Sequence, residues 1–165
     1  MRKQKGFSLI ELLIVVAIIL IIAAIAIPNL IKSKMAANEA SAVGSTRTLL
    51  TTEITYATTN PTTGFVDIPT LGPGAGNAGL IDSALASGTK SGYAFVATPA
   101  STSSANGAAK DQVLVTATPT TVGTTGQRSF CGIEDAVIHF DSTGATAGSH
   151  DACGVTNGGQ AVLSN

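Results

Sequence analysis

The hydrophobic positions of this chain fall into three regions with different spacing. From Phe7 to Ile27 nearly every residue is apolar, without the interleaved polar positions of a surface helix. Beyond Pro28, apolar residues recur at intervals of three or four, as on one face of a helix. We therefore predict one helix from about Phe7 to about Thr58, apolar all round in its first half and amphipathic in its second.

Two residues inside the predicted helix are unfavourable for helical structure. Pro28 lacks a backbone donor and crowds the preceding turn, so we expect a kink or local melting near residues 24–28. Gly44 has low helix propensity, and we expect it to ease packing against the rest of the protein. The apolar residues of the amphipathic half are Leu30, Ile31, Met35, Ala36, Val43, Leu49, Leu50, Ile54 and Tyr56.

The remainder of the chain predicts a small β-sheet. Residues 57–90 are rich in Gly, Pro, Thr and Asn, which indicates a long connection, with one or two helical turns at residues 80–87. Alternating apolar runs at residues 91–99, 111–119, 127–133 and 135–140 predict an antiparallel sheet of three or four strands packed on the second half of the helix. This is an α+β fold. The side chains expected in its core are Tyr93, Phe95, Val113, Val115, Val137 and Phe140.

Composition adds limits to this picture. The 165 residues suit one globular domain with an N-terminal extension. The formal net charge is -1, so the chain lacks the basic balance that holds a phosphate backbone, and nucleic acid is not expected as its main ligand.

The start of the chain has the charge pattern of a membrane segment. Arg2, Lys3 and Lys5 precede the apolar run, which would hold this end in the cytoplasm while the following residues enter the bilayer. The run exceeds the apolar core of an ordinary signal peptide and reaches the roughly 20 residues that a membrane helix needs. Glu11 lies within it, where an unpaired carboxylate costs a few kcal/mol or more.

The charge of Glu11 requires a partner. Cleavage between Gly6 and Phe7 would create an α-amine four residues before Glu11, and the two charges could pair within one chain or between neighbouring chains. The alternative is an ordinary single-span anchor with an incidental glutamate.

The stretch KGFSLIELLIVVAIILIIAAIAIPNLIKSK closely resembles the N-terminus of the type IV pilin and pseudopilin family, through Gly6–Leu12, the apolar helix and Pro28. The resemblance implies cleavage by a prepilin peptidase after Gly6 and N-methylation of Phe7. It also implies that Glu11 docks against a neighbouring subunit's Phe7 during assembly, and that the helix melts near Pro28 in the fibre. The expected organisation is a cleaved leader (residues 1–6), a membrane and assembly helix (7–28), its amphipathic half (29–58) and a globular head (59–165).

The two cysteines, Cys131 and Cys153, lie in the head. If the head is extracytoplasmic they can pair, and two free buried thiols are the alternative. The family resemblance supports the pair, because many pilins close a C-terminal loop with one disulfide.

The sequence contains few signals of other chemistry. His139, Asp141, His150, Asp151 and Cys153 are close in sequence but lack the spacing of a metal site, so we predict no metal. Since some pseudopilins bind calcium near the C-terminus, Asp141 and Asp151 are kept as a minor calcium alternative. A phosphate-binding loop and a nucleophile elbow are both missing from the sequence, and we expect neither enzymatic activity nor a cofactor.

The resemblance implies a pilin that polymerises into a type IV pilus for adhesion, twitching motility or DNA uptake. The alternative is a type II secretion pseudopilin in a short periplasmic pseudopilus. The implied partners are identical subunits in a helical filament, the prepilin peptidase, an inner-membrane assembly platform and a cytoplasmic ATPase. The subunit would cross the inner membrane once before assembly and then lie in an extracellular fibre.

Overall fold

A computed structural model describes residues 7–105, 107–154 and 161–163 of the chain. The chain divides into two compact units, with the boundary between Lys34 and Met35. Helix α1 (Leu9–Thr59) contributes residues to both units. The single long helix predicted from residues 7 to 58 is therefore confirmed to within two residues at each end.

The first unit is helical in its described part beyond Ser8. Its helix continues through Pro28 without interruption, so the local melting expected near residues 24–28 is not seen in this single chain. Melting inside a fibre stays a prediction.

The second unit adds the remaining elements. Among its described residues, the short helices are α2 (Ile68–Leu71), α3 (Ser83–Ala86) and α4 (His150–Gly154). Its strands are β1 (Thr89–Lys90), β2 (Tyr93–Ala100), β3 (Gln112–Pro119), β4 (Ser129–Gly132), β5 (Ile138–Asp141) and β6 (Ala161–Val162).

In the described part of the chain these six strands form one antiparallel sheet in the order β1-β2-β3-β4-β5-β6. The four predicted strands correspond to β2, β3, β4 and β5. The predicted number of strands, three or four, was too low, because the sheet has two further strands at its edges. These strands, β1 and β6, have only two residues each. Pairs this short leave too little alternation in the sequence to reveal a strand.

The main core lies between the sheet and the second half of α1. Side chains at alternate positions of β2 and β3 face the helix, as the period of a strand requires. Tyr93, Phe95, Val113 and Val115 are buried as predicted, and Phe140 is half-buried against the same core. The helix contributes Ala42, Leu49 and Leu50.

The connection, residues 60–82, is a structural part of this core, although its composition predicted a loop. Helix α2 lies within it, with Asp67 as N-cap and a proline in its first turn. Asp67 accepts a hydrogen bond from the backbone N–H of Thr70 at 3.2 Å. The core side chains from the connection are Phe65, Val66, Ile68, Leu71 and Ile81.

Two detailed predictions were wrong. Val137 is 36% exposed, because Ala136 adopts a positive φ of 59° in the turn and strand β5 begins with Ile138 as the inward residue. Gly44 does not ease packing, since a Cβ at this position would meet no atom within 4 Å.

Candidate functional site

The apolar segment of α1 presents its side chains on every side. The large hydrophobic residues between Phe7 and Ile31 are 45% to 81% exposed. The helix is long and apolar enough to cross a membrane, and its most apolar stretch is unburied. A continuous apolar surface of this kind needs lipid or other protein to cover it.

Glu11 is tied to the start of its own helix. Its Oε2 accepts a hydrogen bond from the backbone N–H of Ser8 at 3.0 Å. With Ser8 just before the first helical residue and Glu11 three residues later, this is one of the two bonds of a capping box. The carboxylate therefore has a local role in the single chain, in addition to any contact with a neighbour.

The predicted cleavage site lies only partly within the described residues. Phe7 is 81% exposed at the start of the described chain, whereas Gly6 lies outside the described residues. Cleavage between them, methylation of Phe7 and docking of Glu11 against a neighbour remain predictions.

A buried carboxylate ties the second half of α1 to the sheet. Glu39 Oε1 accepts hydrogen bonds from the backbone N–H groups of Gln127 and Arg128, at 2.8 and 3.1 Å. Its Oε2 lies 2.8 Å from both Nε and Nη2 of Arg128. Burial alone would raise the pKa of Glu39, but these hydrogen bonds and the Arg128 charge hold it below its ordinary value.

A second buried glutamate ties α1 to the connection. Glu53 is completely buried, and its Oε2 accepts a hydrogen bond from the backbone N–H of Val66 at 3.1 Å. Burial raises the pKa of Glu53 to about 7, against the smaller lowering effect of the Val66 N–H.

Neither glutamate was predicted from the sequence to be a structural residue. A signal was present, because Glu39 and Glu53 lie about four helical turns apart and continue the face that buries Ala42, Leu49 and Leu50. Only the apolar members of that face were recognised as its buried side.

The C-terminal segment, which contains Ala147 and helix α4, is attached to the face of the sheet away from α1. Cys131 of β4 and Cys153 of α4 form a disulfide, so the predicted pair is confirmed and neither thiol is free. The two cysteines belong to a small buried cluster with Leu114, Ile133 and Ala147. Leu114 alternates with the helix-facing Val113 and Val115, which places this cluster on the face away from α1.

An ion pair adds to this attachment. His150 Nε2 lies 2.8 Å from both carboxylate oxygens of Glu134. Burial lowers the pKa of His150, but the hydrogen bond and charge of Glu134 outweigh it and leave the pKa raised.

The calcium alternative finds no support in the described residues. Asp141 turns its carboxylate to its own loop, accepting from the backbone N–H and hydroxyl of Thr143. Asp151 is largely exposed beside His150. No group of three or more His, Cys, Asp or Glu side chains in the described part of the chain is arranged to hold a metal ion.

Comparison with known proteins gives the N-terminal features a context. Residues 1–27 match the family model described as the prokaryotic N-terminal methylation motif. The chain is 62% identical over 39 residues to the type IV wide pilus major component PilA4 of Thermus thermophilus. It is 46% identical over 54 residues to the type IV major pilin protein PilA of Myxococcus xanthus.

Over these stretches, the chain is homologous to type IV major pilins. The matches cover 24% and 33% of this chain, and 30% and 24% of the two relatives, so the chain spans less than a third of either pilin. No solved structure matches it significantly. The methylation motif covers the predicted cleavage and assembly residues Gly6, Phe7 and Glu11.

Proposed function

We propose that this protein is a structural subunit of a type IV pilus that polymerises through the N-terminal half of α1. The observation that carries the proposal is the exposed apolar segment from Phe7 to Ile31. This segment contains one carboxylate, Glu11, and most of it lies within the stretch that matches the methylation motif. The homology to two pilus components supports it. The role is structural and not enzymatic.

The same apolar surface serves the subunit before and after assembly. Before assembly it lies in the inner membrane, with Arg2, Lys3 and Lys5 on the cytoplasmic side. In the fibre, neighbouring helices replace the lipid. Because apolar side chains cover all sides of the helix, the exchange involves few polar side chains, which between Phe7 and Ile31 are Ser8, Glu11 and Asn29.

Glu11 makes the exchange selective. In the single chain its carboxylate accepts a hydrogen bond from the Ser8 N–H, a neutral donor that supplies no positive charge. Removal of residues 1–6 creates a positive α-amine on Phe7, which is available to the Glu11 of a neighbouring subunit. This contact joins different surfaces of two copies and does not close on itself, so repetition produces a helical filament.

The second unit forms the head of the subunit. Its attachment to α1 through the core and through Glu39 fixes the orientation of the sheet on the second half of the helix. The disulfide suits an extracytoplasmic head. The partners that we propose are identical subunits, the prepilin peptidase, an inner-membrane assembly platform and a cytoplasmic ATPase. The ATPase is included because the sequence has no nucleotide-binding motif of its own.

The test compares Glu11→Ala with Asp151→Asn, a control that removes one negative charge from a side chain that is 92% exposed. Both variants and the wild type are expressed in the native host, and the protein is quantified in the membrane and in material sheared from the cell surface. We expect Glu11→Ala to reach the membrane at the wild-type level and to be missing from the sheared fraction, while Asp151→Asn behaves as wild type. A wild-type fibre yield from Glu11→Ala would overturn the assembly role.

A further inference from the structure

Glu53 is a buried acid whose hydrogen-bonding capacity is only half used. Its Oε2 accepts from the backbone N–H of Val66, while its Oε1 is buried without a partner among the described residues. A buried carboxylate oxygen without a donor is costly when the group is ionised.

Glu39 on the same helix shows how a fully compensated carboxylate differs. It accepts two backbone N–H groups and a guanidinium, so its charge is well supported. Glu53 has a single neutral donor, and the charged group that acts on it in the described part of the chain is Asp67, of the same sign. Ionisation therefore places an unsupported negative charge beside another one.

The part of the connection that Glu53 holds lies between the core and a cleft. Phe65, Val66 and Leu71 point into the core against α1 and the sheet. On its other side the connection borders a cleft of about 780 Å³ that separates it from the loop between β2 and β3. The backbone bond from Phe65 N–H to Lys110 O, at 3.0 Å, crosses between the two loops beside this cleft. Because the cleft leaves this side of the segment partly unpacked, its attachment depends on a small number of contacts, among them the Phe65–Lys110 bond and the contact with Glu53.

We propose that the protonation state of Glu53 controls the attachment of residues 65–71 to α1. The protonated carboxyl holds these residues on α1, and the ionised carboxylate releases them locally. The protonated acid still offers a carbonyl oxygen to the Val66 N–H without burying a charge. Because burial raises the pKa of Glu53 to about 7, the transition falls near neutral pH.

Proton linkage gives the direction in which closure of the segment changes with pH. The folded segment binds the proton more tightly than the open one, so closure is strongest below the ordinary glutamate pKa and weakens as pH rises through about 7. If opening restores the ordinary pKa, the closing equilibrium falls by up to roughly 100-fold between pH 5 and pH 8.5.

Amide hydrogen exchange followed by NMR on the full chain in detergent micelles tests this directly. After correction for the intrinsic pH dependence of exchange, the protection of the Val66 amide should fall as pH rises from 5 to 8.5. The Gln127 amide, bound to Glu39, is the internal control and should keep its protection, because the pKa of Glu39 lies below this range.

Two variants complete the test. Glu53→Gln keeps an acceptor for Val66 and cannot ionise, so its Val66 protection should be high and vary less than about threefold over the same range. Asp67→Asn keeps Glu53 and removes the neighbouring charge, so the transition should move to lower pH and remain measurable even if Glu53→Gln does not fold. A pH-independent Val66 amide in the wild type, a parallel loss at Gln127, or an unchanged fall in Glu53→Gln would each overturn the proposal.

Discussion

The carboxylate of Glu11 accepts a hydrogen bond from the backbone N–H of Ser8, three residues earlier, at 3.0 Å. The residue proposed to dock against a neighbouring subunit thus also caps its own helix. The two roles predict different results for two substitutions, because an amide keeps the acceptor and loses the charge.

Glu11→Gln should retain the helix start and still fail to assemble. The glutamine amide oxygen can accept from Ser8 N–H, so the helix content of the detergent-solubilised chain, measured by circular dichroism, should match the wild type. Because the Phe7 amine then meets no charge, the yield of sheared fibres should be as low as for Glu11→Ala. Normal fibres from Glu11→Gln, with none from Glu11→Ala, would instead assign the requirement to the helix cap.

The Glu39–Arg128 contact should contribute to the acid sensitivity of the head. Glu39→Ala leaves two backbone N–H groups and a partly exposed guanidinium without an acceptor, and we expect a loss of about 2 kcal/mol in the free energy of unfolding. Glu39→Gln retains one acceptor and should lose about half as much. Urea unfolding of the full chain in detergent, followed by tyrosine fluorescence, measures the difference.

The pH dependence of that loss has a defined sign. Since the folded pKa of Glu39 is lowered, its contribution is present above the ordinary glutamate pKa and disappears as pH falls through the folded value. The difference between wild type and Glu39→Ala should therefore shrink on going from pH 6 to pH 3. A difference that stays constant over this range would contradict the contribution of the Glu39 charge.

The disulfide should stabilise the C-terminal segment more than the main core. In the chain-entropy model, a loop of this size contributes about 3 kcal/mol. Cys131→Ser with Cys153→Ser should make the segment around α4 sensitive to limited proteolysis, and the core amides of β2 and β3 should keep most of their protection. Equal protease resistance with and without the bridge would show that the small cluster around Leu114 is sufficient by itself.

The elements that could be predicted from the sequence are those whose hydrophobic pattern repeats over a long enough stretch. Helix α1 and strands β2 to β5 repeat one pattern over enough residues to be recognised, and the N-terminal motif is contiguous. Helix α2 has four residues, and its signals, the Asp67 cap and Pro69, also occur in ordinary turns. It was therefore hidden in a stretch whose composition indicates a loop.

The burial of Glu39 and Glu53 could be inferred from the helix face they share with Ala42, Leu49 and Leu50, but their hydrogen-bond partners could not be predicted from the sequence. Glu39 accepts hydrogen bonds from residues almost 90 positions away, and no local pattern in the sequence identifies those donors. Val137 was misassigned for a related reason, since a turn residue with positive φ at Ala136 shifts which residue of the following strand points inward.

The intact mass of the protein in material sheared from the cell surface tests the central claim most directly. Measured with and without reduction, the proposed pilus subunit should begin at Phe7 carrying a methyl group, and should be two hydrogens lighter before reduction because of the Cys131–Cys153 bond. A chain that keeps residues 1–6, or a processed chain confined to the cell envelope with none in the sheared fraction, would contradict an external pilus.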